Sequence, residues 1–308
     1  MIRTSPTPSA WTPVAIGKIA RHPEYLRGLG DALLETFDSW LSEGFDLAAD
    51  RFGTAWRGMF QMGIPHGVLW HAGGEEGDPA EWFCGVLAPS QDSVGRQYPL
   101  AVGARISHPP FAQRVHTAPL AVGGLLDTAY ETISEARGAL LSREELEERL
   151  LAIAPLAPEA FTRAETEYAE WCVSTPADLG WTALFPGDDP VGTARTAIGH
   201  LTAAVARPRV VVRLPIGDAP AGATALWLDV LRRVGIPISS AFWAVYDGAL
   251  LVTRGAPEPA LVGCLWMRGA ATDSMLDLSD LHAPVRSLGV RSALSSSNMR
   301  SFLDSLTA

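Results

Sequence analysis

Trp82-Phe83-Cys84-Gly85-Val86-Leu87-Ala88 and Leu100-Ala101-Val102-Gly103-Ala104-Arg105-Ile106 are two apolar runs of strand length, joined by Pro89-Ser90-Gln91-Asp92-Ser93-Val94-Gly95-Arg96-Gln97-Tyr98-Pro99. A connection rich in Pro, Gly and polar residues stops both runs, so they read as antiparallel neighbours bridged by a structured loop longer than an ordinary hairpin turn. Inside the loop, Asp92 and Arg96 are spaced to close a charge-assisted hydrogen bond, and Gly95 supplies a backbone angle that other residues avoid. A solvent-exposed bridge of this kind contributes only about 0–1 kcal/mol, too little to account for it as a stabiliser. Two roles are compatible with the pattern. Ser90 and Asp92 cap local amides and fix the turn, or the loop meets a partner.

On the N-terminal side, residues 1–10 read as a loose tail, and Trp11 to Lys18 as a strand stopped at Gly17. From Glu24 the period changes: Leu26, Leu29, Leu33, Phe37, Trp40 and Leu41 recur at helical spacing. A second helix carried by Phe45, Phe52, Trp56 and Phe60 is expected after Gly44, then a strand at Val68 to Ala72 and a polar turn over 73–79.

On the C-terminal side, His108-Pro109-Pro110 closes the strand pair, and the chain turns helical to about residue 206. Leu125, Ala129, Ile133 and Ala136 mark one helix there, Ser142 with Glu145 forms a capping box for the next, and Phe161–Val173 and Val191–Ala206 follow. Sheet signals return with Val210–Val212, a helix over Thr224–Val234 and a strand over Ala241–Tyr246. Asp247-Gly248 suits a tight turn into Leu250–Val252, and a last helix over Met299–Leu306 is capped by Ser297 or Asn298.

Each half alone supplies few strands, and open edges are costly, so the terminal strands are expected to join one sheet. The fold class is α/β: a single mixed, largely antiparallel sheet with helices on both faces, a three-layer α/β/α sandwich. We expect one domain over 1–308, with a helical middle block over 110–206.

The 308 residues suffice for a core without disulfide or metal staples, and 34 acidic against 24 basic residues give a net charge of −10. That charge, with cations spread singly, argues against nucleic acid as a partner. Cys84, Cys172 and Cys264 are odd in number, far apart and set in apolar surroundings, as buried thiols of a reducing compartment are. No apolar run is long enough to span a bilayer and the start lacks a signal-peptide core, so no membrane insertion and a cytoplasmic location are expected.

Common catalytic patterns fail. Gly17-Lys18 lacks the rest of a phosphate loop, no glycine-flanked serine nucleophile is present, and the seven histidines show no metal spacing. His66 and His71 would point to opposite faces of a strand. No cofactor, metal or catalytic residue is assigned. Lys18 is the only lysine among 24 basic residues. A high-GC genome would produce that bias without selection on this protein, and a site needing a compact ammonium is the functional alternative.

Two segments carry a family resemblance. Gly17-Lys18-Ile19-Ala20-Arg21-His22-Pro23-Glu24-Tyr25 with Phe37-Asp38-Ser39-Trp40-Leu41 resembles the opening of TagF (ImpM) proteins, and Gly85-Val86-Leu87-Ala88-Pro89-Ser90-Gln91-Asp92-Ser93-Val94-Gly95-Arg96-Gln97-Tyr98-Pro99-Leu100 is similar to that family's Gly-Val-x-x-Pro-Ser-x-Asp-x-Val-Gly-Arg-x-Phe-Pro-Leu. His22-Pro23-Glu24 departs from the family's Gly-Asp turn, and Ser239-Ser240-Ala241-Phe242-Trp243 matches loosely. The resemblance implies a non-enzymatic accessory protein of the type VI secretion system. It would be a post-translational, negative regulator that binds the system's forkhead-associated scaffold protein. Ser90, Asp92, Gly95, Arg96 and Lys18 are the candidate partner-binding residues. The alternatives are a small-ligand protein or orphan enzyme with a site near Lys18, and a structural part of the apparatus.

Overall fold

A computed structural model of the chain describes residues 11–26, 32–71, 81–107, 113–157, 159–244, 248–267, 269–279, 281 and 298–306. The expected tail at 1–10, the turn at 73–79, the His108-Pro109-Pro110 break, Asp247 and Ser297 lie outside these residues. The strands are β1 (Trp11–Gly17), β2 (His66–His71), β3 (Glu81–Ala88), β4 (Leu100–Ser107), β5 (Val210–Pro215), β6 (Ser240–Ala244), β7 (Ala249–Arg254) and β8 (Met275–Asp277). All eight join one sheet in the order β1-β4-β3-β2-β6-β7-β5-β8, antiparallel except for the parallel β5–β8 pair. The two halves of the chain meet where β2 pairs with β6, from His66↔Ala244 to Trp70↔Ser240.

The strands read as nearly unbroken apolar runs because both faces of the sheet are covered. Along β3, Trp82, Cys84, Val86 and Ala88 enter one core and Phe83 and Leu87 the other, following the two-residue period. The first core lies under the helical middle and α9 (Pro220–Arg233). That middle comprises α3 (Ala118–Ala121), α4 (Gly123–Arg137), α5 (Arg143–Leu151), α6 (Ala160–Ser174), α7 (Ala177–Thr182) and α8 (Pro190–Ala204). The expected capping box starts α5: Glu145 N donates to Ser142 Oγ at 3.2 Å, and Ser142 N to Glu145 Oε2 at 2.6 Å. Glu144, Glu145, Glu147 and Glu148 are all exposed on that helix.

The second core lies under α1 (Ala32–Phe52), α2 (Thr54–Gln61) and α10 (Leu261–Trp266). Phe37 and Trp40 of α1 stack into an aromatic cluster with Trp70, Phe83 and Phe242, ring centroids 4.8–5.3 Å apart for the contacts across elements. A short final helix, α11 (Met299–Asp304), is capped by Asn298, whose side chain accepts from Ser301 N at 2.9 Å.

Two boundaries differ from the sequence reading. The helix expected from Glu24 does not form there, because Leu26 instead exchanges backbone hydrogen bonds with Gly17 at 2.8 and 3.0 Å on the outer edge of β1. Gly44 does not break the helix either. A side chain at Gly44 would lie 2.3 Å from Val262, so the glycine admits α10 against α1, and the break falls at Gly53, whose φ is 56°. The short elements α3, α7, α10 and β8 carry too little periodicity to read from sequence.

Separate fragments 1–157 and 159–308 would each leave the β2–β6 ladder unpaired with apolar faces exposed. Neither fragment is expected to show a cooperative thermal transition by circular dichroism, whereas the whole chain should; a sharp melt from either fragment alone would contradict this.

Candidate functional site

β1 and β3 are both antiparallel to β4, so they run in the same direction and their C-terminal ends emerge side by side. That topology brings Lys18, just beyond β1, to the loop 89–99, just beyond β3. Gly17 makes the approach possible: its φ is +124°, and an added Cβ would sit 2.0 Å from the Pro99 carbonyl oxygen.

Asp92 is the centre of the arrangement. Its side chain is buried, and its carboxylate takes four donors: Val94 N at 3.1 Å and Arg96 N at 2.8 Å on Oδ1, with Arg96 Nε at 2.6 Å and Lys18 Nζ at 3.3 Å on Oδ2. Burial alone would raise the pKa of this carboxyl, but the Arg96 amide and guanidinium and the Lys18 ammonium outweigh it and hold the value down to about 2. Gly95, at φ +83°, turns the chain between the two amide donors. Ser90 Oγ is buried and makes no hydrogen bond among the described residues; the backbone of Ser90 supplies the closing contact, accepting from Tyr98 N at 3.1 Å.

The loop also clasps the strap 18–26. Arg96 Nη2 donates to the Pro23 carbonyl at 2.5 Å and Ser93 N to the His22 carbonyl at 3.2 Å. Both contacts use main-chain carbonyls, so the His22-Pro23-Glu24 departure leaves them intact. A third link was not assigned a role from sequence. The Tyr25 and Tyr98 hydroxyls both donate to Asp38 Oδ1 on α1, the latter at 2.9 Å, and the two rings meet edge to face at 5.2 Å. Burial raises the pKa of each phenol first; for Tyr25 the neighbouring Tyr98 phenol and then Asp38 add to it, and for Tyr98 the Asp38 carboxylate does. All three residues fall inside the two resemblance segments, which was the available signal.

Lys18 and Arg96 thus both contact Asp92, Gly95 shapes the turn between the two amide donors, and buried Ser90 closes the loop through its carbonyl. At the opposite end of the sheet, a groove of about 430 Å³ is lined by His71, Trp82, Val115, Arg232 and residues 235–238, none of them a candidate site residue. Arg232 and Arg233, the densest pair of cations, fold onto the buried Asp229 at 2.6 and 3.0 Å, with Tyr168 donating to the same carboxylate. Among the described residues, no His, Cys, Asp and Glu side chains gather in a group able to hold a metal ion, and no helix is long and apolar enough to cross a membrane.

Residues 15–153 match the family described as TagF N-terminal domain, Type VI secretion system-associated. No curated protein matches the chain. Among solved structures, PA0076 from Pseudomonas aeruginosa PAO1 is 18% identical, with 83% of this chain and 94% of that chain covered at a TM-score of 0.45.

Because the folded-state pKa of Asp92 is depressed from 3.8 to about 2, its stabilising effect is complete above the ordinary value and is lost as pH falls from about 4 to about 2. Asp92→Asn replaces an acceptor by an amide beside two cations and is expected to cost about 2–4 kcal/mol at pH 7. Denaturant titrations from pH 7 to pH 2 should show that gap closing in the acidic window, and a gap independent of pH would contradict the assignment. Gly95→Ala, forced into a left-handed conformation, is expected to cost about 1–2 kcal/mol in the same measurement.

Proposed function

We propose that the chain, whose residues 15–153 match the family described as TagF N-terminal domain, Type VI secretion system-associated, is a non-enzymatic, cytoplasmic accessory protein of this system. It acts by binding another protein, the system's forkhead-associated scaffold, and regulates secretion negatively after translation. The observation that carries the reading is the clasp itself. Both resemblance segments converge on one exposed loop held rigidly against the strap 18–26 and α1.

The chemistry of the clasp supports a binding role over a catalytic one. A carboxylate held at a pKa of about 2 and occupied by four donors is a poor proton acceptor near neutrality. Lys18 is committed to the same carboxylate and is 15% exposed, which leaves little of it to a small ligand. The loop tip, by contrast, is ordered in advance and faces outward, with Val94 66% exposed. Preorganisation lowers the entropy cost of docking a partner.

The test is a binding titration with the purified forkhead-associated scaffold from the same bacterium. Val94→Asp and Arg96→Ala should each weaken binding by about ten-fold or more, with Val94→Asp leaving the melting temperature unchanged. Deleting the gene should raise type VI secretion. A scaffold that binds both variants as well as the parent would remove the loop as the contact, and a fall in secretion would reverse the sign of the regulation.

A further inference from the structure

The exposed part of the loop does not stand alone. Gln97 Nε2 donates to the Arg57 carbonyl of α2 at 3.2 Å, and Tyr98 of the loop and Trp56 of α2 both pack on Phe45, at 5.7 and 5.5 Å. The outer side of α2 and the loop tip therefore form one continuous face. Thr54, Ala55, Arg57, Gly58 and Gln61 are exposed on the helix, and nothing lies within 4 Å of a Cβ built at Gly58. Each element also carries a large apolar side chain in water, Met62 directly after α2 at 74% exposure and Val94 in the loop at 66%.

The charge on this face departs from that of the protein. The chain carries 34 acidic residues and a net charge of −10, yet residues 51–71 contain no Asp or Glu, and Asp92 is the sole acid from Trp82 to Ser107. Asp92 is buried and shared between two cations, so one carboxylate faces the charges of both Lys18 and Arg96, and a positive charge is left over. The Arg96 side chain is 62% exposed, and Arg57 makes no ion pair among the described residues. The α2 and loop elements thus offer two arginines, two exposed apolar side chains and no exposed carboxylate of their own.

We propose that the face formed by α2, Met62 and the loop tip 93–97 docks an acidic segment of a partner protein. Arg57 takes its carboxylates, the N–H groups of Arg96 not bonded to Asp92 and Pro23 add to them, and Met62 and Val94 take apolar side chains interspersed among them. Guanidinium forks suit carboxylates, and exposed apolar groups gain by leaving water. A lipid surface or a nucleic acid extends beyond a face of this size and would meet the negative remainder of the molecule. The proposal rests on the protein-binding reading above and adds the chemistry of the bound segment.

Hydrogen exchange of the full chain, with and without a synthetic peptide of repeated Glu-Glu-Leu, tests it. Protection is expected at 54–62 and 93–97, none with the matching Lys-Lys-Leu peptide, and an apparent affinity lowered at least about ten-fold by Arg57→Glu and several-fold by Met62→Ser. Both positions are exposed, and circular dichroism checks that each variant is folded. Protection absent from this face, equal with the basic peptide, or unchanged in Arg57→Glu would overturn the proposal, as would Arg57-dependent sedimentation with phosphatidylglycerol vesicles in place of peptide binding. No secretion-system protein enters this experiment, so its failure and a failure of the scaffold titration are told apart.

Discussion

The backbone ladder between β2 and β6 joins strands that lie far apart in the sequence, on either side of the whole helical middle. Closing so long a connection costs only slightly more entropy than closing a shorter one, whereas leaving either strand unpaired would expose backbone groups and two apolar faces at once. The pairing is also sterically specific: Trp243 lies over Gly67, where an added Cβ would come within 2.2 Å of its ring. Trp70 and Phe242, carried by the two strands, then complete the aromatic bed on which Phe37 and Trp40 of α1 rest. The position of α1 matters for the clasp, because Asp38 on that helix receives Tyr25 and Tyr98.

The clasp is a small polar core at one end of an apolar sandwich. A buried carboxylate is tolerated only when its lone pairs are met, and Asp92 meets that condition with two amides and two cations. The ion pair with Arg96, weighed from sequence as an exposed bridge of little value, is in fact half-shielded: the carboxylate is buried and only the guanidinium reaches water. Turn-fixing and partner-contact roles for Asp92 are compatible, since the carboxylate that orders the loop is also what presents Val94 and Arg96 outward.

Much of the sheet was legible because strands covered on both faces are written as apolar runs, and those runs were bounded by clear turn residues at Gly17, Pro89 and Gly248. The capping box at Ser142 was legible for a related reason: both of its hydrogen bonds are local. The start of α1 was misread because Leu26 satisfies the helical period while its backbone serves the edge of β1. Gly44 was misread as a breaker because the element that needs its missing side chain, α10, arrives from more than two hundred residues away.

The sequence by itself determined the fold class, the strand–loop–strand unit from Trp82 to Ile106 and the family resemblance, since these rest on local patterns; it offered Lys18, Ser90, Asp92, Gly95 and Arg96 as candidates and assigned no role to Tyr25, Asp38 and Tyr98. Only the tertiary structure decided that Lys18 meets Asp92, that strap 18–26 is held through main-chain carbonyls, and that α2 meets the loop at Arg57. Those contacts depend on two strands running in the same direction through a shared antiparallel neighbour. Direction and adjacency in a sheet follow from long-range pairing and leave no mark in local sequence.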